Sequence, residues 1–161
     1  MKCYFSAKIE STDKLGKKRV LISFAMPDLG VLFRTHFRGE LDECNYISLL
    51  KLLKFIESNP NIFDGQRIQV YSHDPQIVYQ VNGKMLCEER LHKLNSLALL
   101  YKGKLKYSLD WIHIKDNKAE MGILDQPQTK IPLALNFDEL DDSLKKRVKP
   151  RSNTKRSPLS M

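Results

Sequence analysis

The stretch VYSHDPQIVYQVNGK, Val70 to Lys84, decides how this chain is read. A short apolar strand, RIQVYS from Arg67, stops just before His73-Asp74, and a helix begins at once. Pro75 suits the first helical position, because its missing N–H would have no partner there. Ile77, Val78 and Val81 then mark one apolar face, and Gly83 supplies a stop. An aspartate at such a junction has two uses. Asp74 can cap the helix, or it can also hold a metal ion or phosphate from the end of a strand.

Upstream lie three segments of strand character. Cys3, Phe5, Ala7 and Ile9 alternate with Lys2, Tyr4, Ser6, Lys8 and Glu10, the period of a strand. After the turn-rich STDKLGKK, RVLISFAM is apolar on both sides, as a central strand should be. Pro27, Asp28 and Gly30 then turn the chain into VLFRTHFRG, which alternates again. This predicts a three-stranded antiparallel meander. In NYISLLKLLKFIES the period becomes helical, with Tyr46, Leu49, Leu50, Leu53, Phe55 and Ile56 in one stripe and Ile47 and Leu52 widening it. Asp42 or Asn45 is the expected cap, and Asn59-Pro60 the end.

Downstream, CEERLHKLNSLALLYKG predicts a helix with Leu91, Leu94, Leu97, Ala98 and Tyr101 inward and Gly103 ending it. KLKYSLDWIHI resumes alternation, and KDNKAEMG reads as a polar loop. A last helix starts at Asn136, with Glu139 in capping-box spacing and Phe137, Leu140, Leu144 and Val148 on one face.

Charge and composition bound the rest. The chain has 161 residues and a formal net charge of +8. From Leu144 onward Lys145, Lys146, Arg147, Lys149, Arg151, Lys155 and Arg156 occur without an acid, so they account for all but one of those charges. Residues 1–148 are expected to form one domain and 149–161 a flexible basic tail suited to phosphate backbones, the plainer role being solubility. No apolar run approaches the roughly 20 residues of a membrane span, and MKCYFSAKIE lacks a signal-peptide block. A soluble, cytoplasmic protein is expected. Cys3, Cys44 and Cys87 lack CxxC spacing and paired histidines, and read as buried thiols. Trp111 reads as core packing, and Tyr4, Phe33, Phe37 and Tyr107 as core or sheet-face residues. His36, His73, His92 and His113 are scattered, with only His73 beside an acid.

The order of three strands, a helix, a strand, one or two helices, a strand and a final helix resembles the ribonuclease H-like fold. HDPQIVYQV is similar to that family's strand-to-helix junction, and YSLDWIHIKDNKAE to its tryptophan-bearing fifth strand and following catalytic loop. The likeness covers about residues 1–125. It implies an α/β domain whose five-stranded mixed sheet, a three-stranded meander plus two further strands, carries helices on both faces.

It also implies four carboxylates around two Mg2+ ions that cleave RNA in RNA–DNA hybrids. Asp74 stands at the third position. At the second, the helix register points to Asn45, with Glu43 two residues earlier. At the fourth, Glu120 is the candidate, with Asp116 and Asp125 competing. The first aspartate belongs near Ala7 or Lys8, where none occurs; Glu10 serves only if the strand is shifted, and STDKLGKK replaces the family's glycine-rich loop. Two divalent ions near 4 Å apart need that charge to offset their repulsion. Lys8, turned inward, would itself take a cation's place. The expectation is therefore a nucleic-acid-associated binding module with a degenerate two-metal site. The alternatives are a divergent Mg-dependent ribonuclease H using Asp74, Glu43, Glu120 and Glu10, and a protein-binding scaffold.

Overall fold

The computed structural model describes residues 1–121 together with Leu135, Phe137, Leu140 and Asp141. Five strands form one sheet in the order β3-β2-β1-β4-β5. Strands β1 (Lys2–Thr12), β2 (Lys18–Met26) and β3 (Val31–Arg38) make the expected antiparallel meander. Strands β4 (Gln69–Ser72) and β5 (Ser108–Trp111) add to β1 in parallel. The sheet is mixed, as predicted.

Alternation along the strands divides the side chains between two faces. Cys3, Phe5, Ala7, Val20, Ile22, Phe24 and Met26 meet helix α1 (Leu41–Glu57) in the main core. Helices α3 (Pro75–Val81) and α4 (His92–Leu105) join that core through Ile77, Val81, Leu94 and Ala98. On the other face Tyr4 and Ala25 pack with Ala119 of the short helix α5 (Lys118–Met121). Tyr71 stacks on Tyr4 there, ring centroids 5.5 Å apart. Helices thus cover both faces, α5 only in part.

Several local expectations are corrected. Helix α1 starts at Leu41 with Glu40 as its cap residue, whose side chain makes no capping bond; Asp42 and Asn45 lie inside the helix, where Asp42 Oδ1 still accepts from the free Glu43 N–H at 2.8 Å. A one-turn helix α2 (Pro60–Phe63) follows α1, because Pro60 can open a helix as readily as it ends one. Helix α4 begins at His92 after a 3-10 turn at Glu89–Leu91. It passes through Gly103 and ends at Lys106, which takes the left-handed conformation at φ 53°. Strand β5 is only four residues long, and the loop after it contains a 3-10 turn (Ile114–Asp116) and α5.

Trp111 is not core: it is 52% exposed at the end of the edge strand β5. Tyr4 and Tyr107 are buried and Phe33 and Phe37 partly so, as expected. Cys3 and Cys44 are fully buried, while Cys87 is only half-buried. Phe137 and Leu140 pack against the main core, in line with the face predicted for the last helix. Leu144, Val148, Asn136, Glu139 and the basic residues Lys145, Lys146, Arg147, Lys149, Arg151, Lys155 and Arg156 lie outside the described residues. Among the described residues no helix is long and apolar enough to cross a membrane.

Candidate functional site

The β1–β4 ladder pairs only Lys2 with Gln69, Cys3 with Val70 and Tyr4 with Tyr71. Beyond Tyr4 the two strands part, and a cleft of about 450 Å³ opens between β1, the start of α1 and the start of α3. Ala7 lines it from β1 and Lys18 from β2; Glu40, Asp42 and Asn45 line it from α1 and its cap, and His73 to Gln76 from the junction.

Asp74 caps α3, as its place before Pro75 suggested: its Oδ1 accepts from the Gln76 N–H at 3.0 Å. Its Oδ2 accepts from the Asn45 amide, also at 3.0 Å. Burial raises the Asp74 carboxyl above its ordinary range; the Gln76 N–H and His73 oppose that rise, and Asp42 adds to it. The junction is held rigidly. Ser72 Oγ accepts from the Asp74 N–H at 3.1 Å, and the Trp111 indole donates to the His73 carbonyl at 3.0 Å.

Asn117, fully buried, ties the loop after β5 to this junction. Its Nδ2 donates to the Phe5 carbonyl at 3.0 Å, the position where the ladder with β4 has run out, and lies 2.9 Å from His73 Nδ1. Its Oδ1 accepts from the Ala119 N–H at 3.0 Å, which fixes which end of the amide is which. With the amide so oriented, its second N–H points at His73 Nδ1.

The other acids at the cleft are partnered. Glu40 bonds Lys18 at 2.6 Å. Asp42 forms a two-pronged pair with Arg90, and although burial raises its carboxyl, the guanidinium prevails and holds it below the ordinary value. Asp42, not Glu43, is the acid of this turn that lines the cleft. Glu43 is 3.6 Å from Arg90.

The remaining sequence candidates are dispersed. Glu10 bonds His36 at 2.5 Å, on the sheet face opposite to Ala7. Glu120 does not line the cleft; its carbonyl and that of Ala119 accept from Arg34 at 3.4 Å. Among the described residues no three of His, Cys, Asp or Glu are grouped so as to hold a metal ion. Lys8 is exposed on the far face, and the lysine at the cleft is Lys18. The roles of Asn117 and Arg90 depend on partners 44 and 48 residues away, a separation that no local pattern carries.

No family model matches the chain, and no curated protein matches it in sequence. Solved structures do match. The RNase H1 of the halophilic archaeon Halobacterium salinarum NRC-1 superimposes with a TM-score of 0.58 at 15% identity, over 88% of this chain and 97% of that one. LC11-RNase H1, solved in complex with an RNA/DNA hybrid, gives a TM-score of 0.57 at 14% identity over 72% and 87%. The N-terminal RNase H domain of a Mycobacterium tuberculosis protein gives 0.53 at 14% identity over 75% and 94%. At such identities the likeness speaks to architecture, and it agrees with the strand order and with helices on both faces: this chain has the ribonuclease H-like fold.

Proposed function

We propose that the protein is a nucleic-acid-associated binding module built on this fold, with a degenerate metal site in the cleft and phosphate contacts from the basic residues of its C-terminus. The observation that carries this reading is the lining of the cleft. Ala7 faces it from the central strand, Glu40 and Asp42 are taken by Lys18 and Arg90, and Asp74 receives an amide from Asn45. Two magnesium ions do not fit such a lining, because hard cations need several free carboxylate oxygens and repel one another strongly without them. The basic residues Lys145, Lys146, Arg147, Lys149, Arg151, Lys155 and Arg156 suit counterion release from phosphates, with strong salt dependence and little sequence preference.

A second reading, a divergent magnesium-dependent ribonuclease, draws on Asp74, whose raised carboxyl lies in the cleft beside His73. One experiment separates them: the full chain is incubated with a labelled RNA–DNA hybrid, with and without magnesium, and run on denaturing and native gels. The binding reading expects salt-sensitive retention, intact RNA, and the same retention for Asp74→Asn. Magnesium-dependent cleavage that Asp74→Asn abolishes overturns it in favour of the nuclease. Neither retention nor cleavage leaves a protein-binding scaffold as the better account.

A further inference from the structure

Helix α5 covers only the part of its sheet face around Tyr4, Ala25 and Leu32. Beyond it the charged side chains of this face are exposed and no other described element lies over them, and register places the side chains in rows. Lys8, Leu21 and His36 form one row, Arg19 and Arg38 the next, and Ser6, Ser23 and Arg34 the row towards α5. Lys8, Arg19, Arg34, His36 and Arg38 are all exposed. Two acids share the region. Glu10 is taken by His36, and Asp13 reaches Arg38 only at 3.8 Å while accepting from the Leu15 and Lys17 backbone N–H groups. Lys8 and Arg19 have no carboxylate partner among the described residues, and Arg34 donates to two carbonyls.

We propose that this open face of the meander is a folded phosphate-binding surface that seats the backbone of a single nucleic-acid strand, separate from the cleft and from the C-terminal basic residues. The proposal rests on the nucleic-acid reading above and gives it a place on the folded domain. Charge and dimensions both favour the occupant. Four permanent cations face two carboxylates, one already engaged by a histidine, so the face is net positive. Strands about 4.8 Å apart make a patch about 10 Å wide from Lys8 to Arg38, and Arg34 to Arg38 spans about 13 Å along β3. That length spans a few consecutive phosphates of an extended strand. The arginines can present paired donors to phosphate oxygens.

The test is the binding of the full chain to a 20-nucleotide single-stranded RNA, read by fluorescence anisotropy over a salt series. Three variants are compared: Arg19→Gln with Arg38→Gln, Arg19→Lys with Arg38→Lys, and a tail variant with the seven C-terminal cations changed to Gln. Both arginines are exposed, and urea midpoints equal to that of the parent confirm folding. The Gln pair is expected to weaken binding about tenfold and to flatten the slope of log K against log salt by about 1.4, near 0.7 per lost phosphate contact. The Lys pair keeps most of the slope. An unchanged slope in the Gln pair, with retention lost in the tail variant, overturns the proposal and leaves the nucleic-acid reading standing. No binding by the parent chain overturns both. A Gln pair that binds RNA normally but no longer binds polyglutamate overturns it in favour of an acidic polypeptide.

Discussion

Asn117 shows how one side chain can stand in for a strand. The Phe5 carbonyl sits where β4 no longer pairs with β1, and a buried carbonyl without a donor costs roughly 1–3 kcal/mol. The Asn117 amide supplies the donor, and its oxygen holds the start of α5. Asn117→Ala should therefore cost about 2–3 kcal/mol, seen as a lower urea midpoint with an unchanged m-value. Asn117→Asp should not rescue it, because a carboxylate offers the Phe5 carbonyl no proton. At this scale the sequence was partly legible. Asp74 before Pro75 announces its capping role through a local rule, and the structure agrees. The Ala7 position was legible too, since alternation alone sets it inward. The partners of Glu10, Glu43 and Asp42 were not, because His36 and Arg90 are brought to them by tertiary packing.

At the scale of elements, helix endings were the hardest to read. Gly103 offers the usual stop, yet α4 continues through it and stops at Lys106 instead. The left-handed conformation there carries a Cβ penalty, while the Lys106 N–H still closes onto the Lys102 carbonyl. Lys106→Gly should remove that penalty and stabilise the protein by up to about 1 kcal/mol, measured as a rise in Tm. The over-extended expectation for β5 has a related cause. Lys104 and Leu105 continue the alternating pattern but belong to the last turn of α4, and a short window cannot tell the two apart. Helix α1, by contrast, was legible along most of its length, since Tyr46, Leu49, Leu50, Leu53 and Phe55 are all buried. Its Tyr46 hydroxyl donates to Gln80 of α3 at 2.8 Å and accepts from Asn95 of α4 at 3.0 Å, joining three helices. Burial pushes that phenol up to about 12, so it remains a donor throughout the working pH range.

Across the whole molecule, Lys51 links segments 90 residues apart. It lies in the middle of α1 with a side chain only 7% exposed, bonds Asp141 at 2.8 Å, and sits 4.5 Å from the centre of the Phe137 ring. Asp141→Asn removes the counter-charge of a buried ammonium and should cost about 1–3 kcal/mol, less than a fully buried pair because Asp141 is partly exposed. Lys51→Met, which keeps the stem and discards the charge, should cost less than Asp141→Asn. Urea denaturation of both variants checks the order, and a larger loss in Lys51→Met would contradict it.

The early divergence of β1 from β4 has a consequence of its own. The chain leaves these parallel neighbours in opposite directions across the sheet, towards β2 from one and towards β5 from the other, and such a switch point leaves a crevice whatever side chains border it. The hollow is thus a property of the winding and not of the residues on its walls. Exchanging those residues alters what the hollow accepts while leaving the scaffold's architecture in place.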